Sequence, residues 1–279
     1  MIDARDLRLS YGNRTVLAGV SLSVPERQWV ALVGRNGCGK TTLLRVLAGL
    51  LRADSGTVRI GGDSLLSLSR RDIARRVAVL PQAMPEVAGL TVRQLVRQGR
   101  YAVRGPLGML GGGDDSRVSA ALAATGCAGF ADSPVDRLSG GERQRARLAL
   151  ALVQDAPVLL LDEPTTYLDV HHQLEVLDLV RRLRDDHGRT VVSVLHDLSQ
   201  AARYADRVIA LRGGALYADG PPGETVTPAL LREVFAVDGR VWTDELTGRP
   251  CCVYDAVDGS QVTPPPSPPP DAALADRSR

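Results

Sequence analysis

An open, mainly parallel α/β sheet with an inserted helical lobe is the fold this sequence predicts. Three observations carry it. Apolar runs of strand length recur at WVALV (29–33), VLLLDEP (158–164), TVVSVLHD (190–197) and RVIALRGG (207–214), the signature of strands buried on both faces. Helical periodicity falls between them, as in QLEVLDLVRRLRDD (173–186), and strands that alternate with helices build a parallel sheet. From 88 to 153 the strand signal gives way to a helical one, which reads as a lobe inserted into the sheet domain.

Taken in order, Leu7, Leu9 and Tyr11, then Val20, Leu22 and Val24, alternate with other residues, so two half-buried strands precede WVALV. A glycine-rich loop follows, then a helix with Leu43, Leu44, Leu47, Leu50 and Leu51 on one side. TVRI at 57–60 reads as an edge strand ahead of the Gly61-Gly62 turn. PLGMLGGGDD at 106–115 reads as a surface loop between helices of the lobe. The tail TPPPSPPPDAALADRSR, from 263, cannot build a core. Its prolines favour solvated polyproline II, and disorder is expected.

Composition narrows the function. At 279 residues the chain is long enough for one large core, or a core with a smaller lobe. Charged residues make up 24% and cancel to +2, and the arginines are spread along the chain, so no nucleic-acid partner is expected. Cys38, Cys127, Cys251 and Cys252 form no CxxC and no zinc-ligand spacing, as suits a reduced compartment. The vicinal pair Cys251-Cys252 reads as incidental. MIDARDLRLS lacks the apolar core of a signal peptide, and no run of 18 apolar residues occurs. The chain is expected neither to cross a membrane nor to leave the cytoplasm unaided.

GRNGCGKT at 34–41 satisfies GxxxxGK[ST] between a predicted strand and a predicted helix. Gly34, Gly37 and Gly39 let the backbone curl until its N–H groups face phosphate oxygens. Lys40 brings a compact charge to the terminal phosphates, and the Thr41 hydroxyl is placed to ligate Mg²⁺. Of 34 lysines and arginines, only Lys40 is lysine; a guanidinium fork would not fit that loop. Asp162 and Glu163 end a buried strand at its carboxyl end, the usual ligand crevice of such sheets. Asp162 would hold Mg²⁺ through water, and Glu163 would polarise the water that attacks a γ-phosphate. His196, alone at a strand end, and Gln82, after the apolar VLP, read by themselves as ordinary structural residues. His171 and His172 are adjacent, cannot share a helix face for a metal, and read as solvated. LSGGERQ at 138–144 is a second phosphate-ready turn at a helix start. It has no lysine and no neighbouring acid to place a metal, so it is a clamp rather than a complete site.

In the order and spacing of these motifs, the chain resembles the ATP-binding subunit of an ABC transporter from about residue 2 to about 238. The resemblance implies a P-loop NTPase core with an N-terminal antiparallel β subdomain (2–87 and 154–238) and a helical lobe carrying the signature (88–153). A C-terminal extension (239–262) and the Pro-rich tail (263–279) follow. It implies that Tyr11 stacks on adenine and that Gly34, Arg35, Asn36, Gly37, Cys38, Gly39, Lys40, Thr41 and Thr42 hold ATP. Gln82 joins Thr41 and Asp162 at Mg²⁺ and reaches the membrane partner; His196 contacts the γ-phosphate. Leu168 and Asp169 face a second subunit. Ser139, Gly140, Gly141 and Glu142 cover the γ-phosphate bound to that second subunit, so each ATP joins two chains of a homodimer and its hydrolysis lets them part.

Four stretches narrow the resemblance: GLTVRQLVRQGRY, DEPTTYLDVHHQLEVLDLV, VLHDLSQAARYADR and VFAVDGRVWTDELTGRP (234–250). They are similar to the ATPases of ferric-siderophore importers, with haem and cobalamin importers close behind. One departure stands out: siderophore importers usually have QRAW after the signature glycines, and this chain has QRAR, with Arg147 there. The implied protein is an ATPase at the cytoplasmic face of the cell membrane. It powers a separate permease and meets a substrate-binding protein only indirectly. A soluble ABC ATPase acting on DNA, ribosomes or iron–sulfur assembly would often carry tandem domains, coiled-coil insertions or basic arms, which the sequence lacks. A P-loop kinase would leave LSGGERQ unexplained.

Overall fold

The apolar runs become the middle of a six-stranded sheet. The computed structural model describes residues 1–83, 89–101, 104–105 and 116–257. Its strands are β1 (Ile2–Tyr11), β2 (Arg14–Val24), β3 (Trp29–Val33), β4 (Ser55–Ile60), β5 (Asp63–Ser64) and β6 (Val77–Leu80). They continue as β7 (Val158–Asp162), β8 (Thr190–Val194), β9 (Arg207–Arg212), β10 (Ala215–Gly220), β11 (Val237–Thr243) and β12 (Pro250–Val257). The large sheet has the order β10-β9-β3-β8-β7-β6, parallel throughout except for β10. A smaller antiparallel sheet, β2-β1-β4-β5, stands beside it.

The main helices are α1 (Lys40–Leu47), α2 (Arg70–Arg76), α3 (Val92–Gln98), α4 (Ser116–Ala124), α5 (Gly140–Leu152), α6 (Val170–Asp185) and α7 (Leu198–Tyr204). Every residue of β3, β7 and β8 is buried, because both faces of the large sheet are covered. Alternation along β3 divides the core. Trp29, Ala31 and Val33 join Val176, Leu177 and Val180 of α6 and Ala201 of α7. Val30 and Leu32 join Leu43, Leu44 and Leu47 of α1, together with Leu7 and Leu17 of the smaller sheet.

Trp29 carries a long-range polar tie inside that core. Its indole Nε1 donates to Ser193 Oγ at 2.7 Å, with both residues at 0% exposure. Ser193→Ala strands the indole N–H, at a cost of about 1–3 kcal/mol. We expect a lower urea midpoint with an unchanged slope, and a loss smaller than the sum of the two single losses when Trp29→Phe is made together with it.

Helices α3, α4 and α5 share a core of their own through Val92, Val96, Leu122, Cys127, Ala146 and Ala149. Two side chains of α5, Leu148 and Ala151, belong instead to the core under the large sheet. One helix therefore spans both.

Several local expectations need correction. The first helix stops at Leu47, because Gly49 turns the chain at φ 67°, and Leu50 lies outside it, 67% exposed. TVRI is not an edge: β4 lies between β1 and the two-residue β5. Helix α6 begins at Val170 rather than 173, capped by Asp169, which accepts from the N–H of His172. Strands β6 and β10 and the hairpin β11–β12 were not read from the sequence, being short, rich in alanine and glycine, or half-exposed on alternate residues. The expected boundary at 238 falls within β11. The 106–115 loop, the boundary at 87 and the tail from 263 lie outside the described residues. Cys251 and Cys252 occupy successive positions of β12, which point to opposite faces. Burial pushes the Cys252 thiol up to about 11.

Candidate functional site

The parallel strands β3, β6, β7 and β8 each deliver a side chain or a loop to one crevice. After β3 the chain curls through 34–39 into α1, and two glycines are fixed by close approach of backbone. Gly39, at φ 107°, would place a Cβ 2.6 Å from the carbonyl oxygen of Val16, and Gly34, at φ 143°, would place one against the carbonyl oxygen of Leu211. Lys40 is 5% exposed and threads back through the loop, its Nζ donating to the carbonyls of Gly34 at 2.7 Å and Arg35 at 3.0 Å. The ammonium thus sits inside the curl, where phosphate oxygens would replace those carbonyls.

From the end of β7, Asp162 accepts from the Thr41 hydroxyl at 2.9 Å. Asp162 is 2% exposed, and burial pushes its carboxyl above the ordinary carboxylate range. A buried carboxylate beside a hydroxyl is a hard-oxygen pair of the kind a magnesium ion takes. Among the described residues no group of three His, Cys, Asp or Glu could enclose a metal, so such an ion would keep waters and need further oxygens from a ligand.

Glu163 follows at φ 53°, a conformation uncommon for glutamate and worth about 1–3 kcal/mol of strain. Its side chain is 11% exposed and fully engaged. Oε1 lies 2.7 Å from His196 Nε2, while Oε2 accepts from Gln82 Nε2 at 2.7 Å and Thr166 Oγ1 at 3.0 Å. Gln82 arrives just beyond β6 and His196 just beyond β8, the two strands that flank β7. Read singly from the sequence, both had bland readings; strand order brings them to one carboxylate. Gln82 binds Glu163 here, and its partner in this structure is neither Thr41 nor Asp162.

Gly39, Lys40, Thr41, Gln82, Glu163, Thr166 and His196 wall a cavity of about 750 Å³ together with Tyr11, Asn36 and Thr42, and Asp162 lies buried behind Thr41. Tyr11 is 53% exposed at its mouth. Arg35 and Cys38 turn away from it, toward a neighbouring cavity of about 590 Å³ bounded by Arg212 and Arg232. Four lining residues escaped the sequence reading: Arg14, Val16, Thr166 and Tyr167. The available signal for the last two was their place directly after Asp162-Glu163-Pro164.

The 138–144 turn is not part of that wall. Ser139 caps α5 by accepting from the N–H of Glu142, and Glu142 Oε2 in turn accepts from the N–H of Ser139 at 3.0 Å and from its hydroxyl at 2.9 Å. Those bonds from Ser139, backbone first, hold the Glu142 carboxyl below its ordinary range. Leu168 approaches Gly140, and His172, expected to be solvated, instead packs its ring on Gly141 and binds Asp169 at 2.8 Å. Within one chain, then, the phosphate loop, acid and histidine meet at one place, and the 138–141 and 168–169 turns meet at another.

Comparison with known proteins shows the family. The family model described as ABC transporter matches residues 17–166. The chain is 45% identical over 252 residues to the petrobactin import ATP-binding protein FpuD of Bacillus anthracis, covering 90% of this chain and 92% of that protein. It is 40% identical over 257 residues to the iron(3+)-hydroxamate import ATP-binding protein FhuC of Bacillus subtilis (strain 168), covering 92% and 96%. Among solved structures, a dimeric bacterial ABC transporter cassette superposes with a TM-score of 0.69 at 26% identity, over 79% of this chain and 98% of that one.

Proposed function

The chain belongs to the ABC transporter family of ATP-binding subunits, and from that premise we propose that it hydrolyses ATP to power uptake of a ferric siderophore or related iron chelate through a separate permease. Two copies sandwich two nucleotides. The 34–42 loop and Tyr11 of one copy hold each ATP, and Ser139, Gly140, Gly141 and Glu142 of the other cover its γ-phosphate. Arg35 and Cys38 contribute through backbone, since their side chains turn to the neighbouring cavity. The observation that supports this reading best is the division of parts: a phosphate cradle with acid and histidine in one cavity, and a second phosphate-ready helix start outside it.

Magnesium, when bound, would be held by Thr41 and Asp162, with Gln82 within reach after it leaves Glu163, and would neutralise developing phosphate charge. Glu163 takes the proton of the attacking water, and His196 orients both that carboxylate and the γ-phosphate. Leu168 and Asp169 meet the second copy. Among the described residues no helix is long and apolar enough to cross a membrane. The permease therefore places the chain at the cytoplasmic face of the cell membrane, and contact with a substrate-binding protein runs through that permease. No nucleic acid takes part.

Arg147, standing where siderophore importers usually have tryptophan, favours a haem or cobalamin importer as the second reading. Uptake of labelled ferric siderophore, haem and cobalamin by a deletion strain, with and without the restored gene, decides between them. We expect only siderophore uptake to depend on the gene. Dependence of haem or cobalamin uptake alone would overturn that assignment of cargo.

A further inference from the structure

Gly141 lies in the first turn of α5, and its φ is not in the left-handed region that favours glycine. What excludes a larger residue is a ring. A Cβ at 141 would stand 2.7 Å from both Cγ and Nε2 of His172, well inside contact distance. Swinging the ring aside would break a hydrogen bond. Its Nδ1 lies 2.8 Å from Asp169 Oδ1, and the same oxygen accepts from the backbone N–H of His172 at 2.9 Å, capping α6. At the preceding glycine the contact is looser: Leu168 Cδ2 lies 3.7 Å from where a Gly140 Cβ would be, an ordinary contact.

We propose that His172 is a positioning residue: its ring, seated on Gly141 and tied to Asp169, keys the 138–141 turn to the 168–169 loop of the same chain. Both surfaces expected to meet the second copy are then presented as one rigid unit, and movement of either carries the other. This rests on the two-copy reading above. To the place of Gly141 over the nucleotide in that reading it adds a contact within the chain that a larger residue would break.

A double-mutant cycle tests it, in full-length chains that also carry E163Q: the parent, G141A, H172A and both together. The readouts are the ATP concentration at half-dimerisation by light scattering, nucleotide affinity at protein concentrations where the chain is monomeric, and Tm. We expect G141A to raise the half-point about tenfold and H172A to raise it less. The pair together should be no worse than H172A alone, a departure from additivity of the size that touching residues show. Monomer nucleotide affinity stays at the parent's value in all four. H172N stays near the parent, because its amide nitrogen can take the place of Nδ1 at Asp169.

A double variant as impaired as the product of the two single effects would overturn the proposal, as would a G141A chain that dimerises like the parent. Should the E163Q parent itself remain monomeric, the two-copy reading fails, and the cycle is then read in Tm. Recovery of the G141A loss by H172A keeps the seating of the ring, and additive losses remove it.

Discussion

Glu163→Gln binds ATP as the parent does, hydrolyses it about 10²–10⁴-fold more slowly, and accumulates as an ATP-bound dimer. The geometry explains why binding survives. A glutamine oxygen can still accept from Gln82 and Thr166, and its amide nitrogen can donate to His196 Nε2 in the other tautomer. The network keeps its shape and loses only its base. ATP then remains intact between the two copies, with nothing to release them. Single-turnover hydrolysis together with gel filtration in ATP and magnesium checks both halves. Unchanged turnover, or only monomer in ATP, removes Glu163 from the role of base.

Gly140→Asp should leave the monomer folded and nucleotide-competent while abolishing ATP-driven pairing in the Glu163→Gln background. A Cβ at 140 meets only Leu168 Cδ2, at 3.7 Å, so the substitution starts without a clash at the backbone. A carboxylate in the first turn of α5 also favours the helix dipole, by about 0.3–1 kcal/mol, so Tm is expected to hold or rise slightly. Across the interface the balance reverses. Moving a pair from 1:99 open to 99:1 closed needs about 5.5 kcal/mol, shared by two nucleotides. A carboxylate about 4 Å from a phosphate charge costs roughly 4 kcal/mol at an effective dielectric of 20, which exceeds each nucleotide's share. Loss of ATP affinity in the isolated monomer would argue against action across an interface, and persistence of the dimer would argue against contact with phosphate.

Legibility differed sharply between parts of the site. Residues whose role lies in a contiguous loop could be read directly: Gly34, Gly37 and Gly39 take positive φ in the curl, as a glycine-rich turn predicts, and Lys40 fills it. Gln82 lies 81 residues before Glu163 in sequence, with His196 further along the chain, and the residues themselves do not say that three strand ends are neighbours. Family resemblance supplied that association; strand order β8-β7-β6 supplies its cause. Thr166 was missed because its place three residues after Glu163 does not by itself say that its hydroxyl turns back to that carboxylate. His172 was misread because helical position predicts which face a side chain leaves from and says nothing of what lies opposite.

Buried strands announce themselves, since a stretch covered on both faces must be apolar at every residue. The α/β class, the parallel order implied by alternation and the phosphate loop therefore followed from residue pattern alone. Short or half-covered elements such as β6, β10 and β12 carry no such demand, and only packing revealed them. The same holds for chemistry. A loop of eight residues specifies its own geometry through local backbone preferences, whereas the company kept by Glu163, and the ring against Gly141, depend on contacts between distant segments. Those contacts exist only once the sheet has ordered its strands.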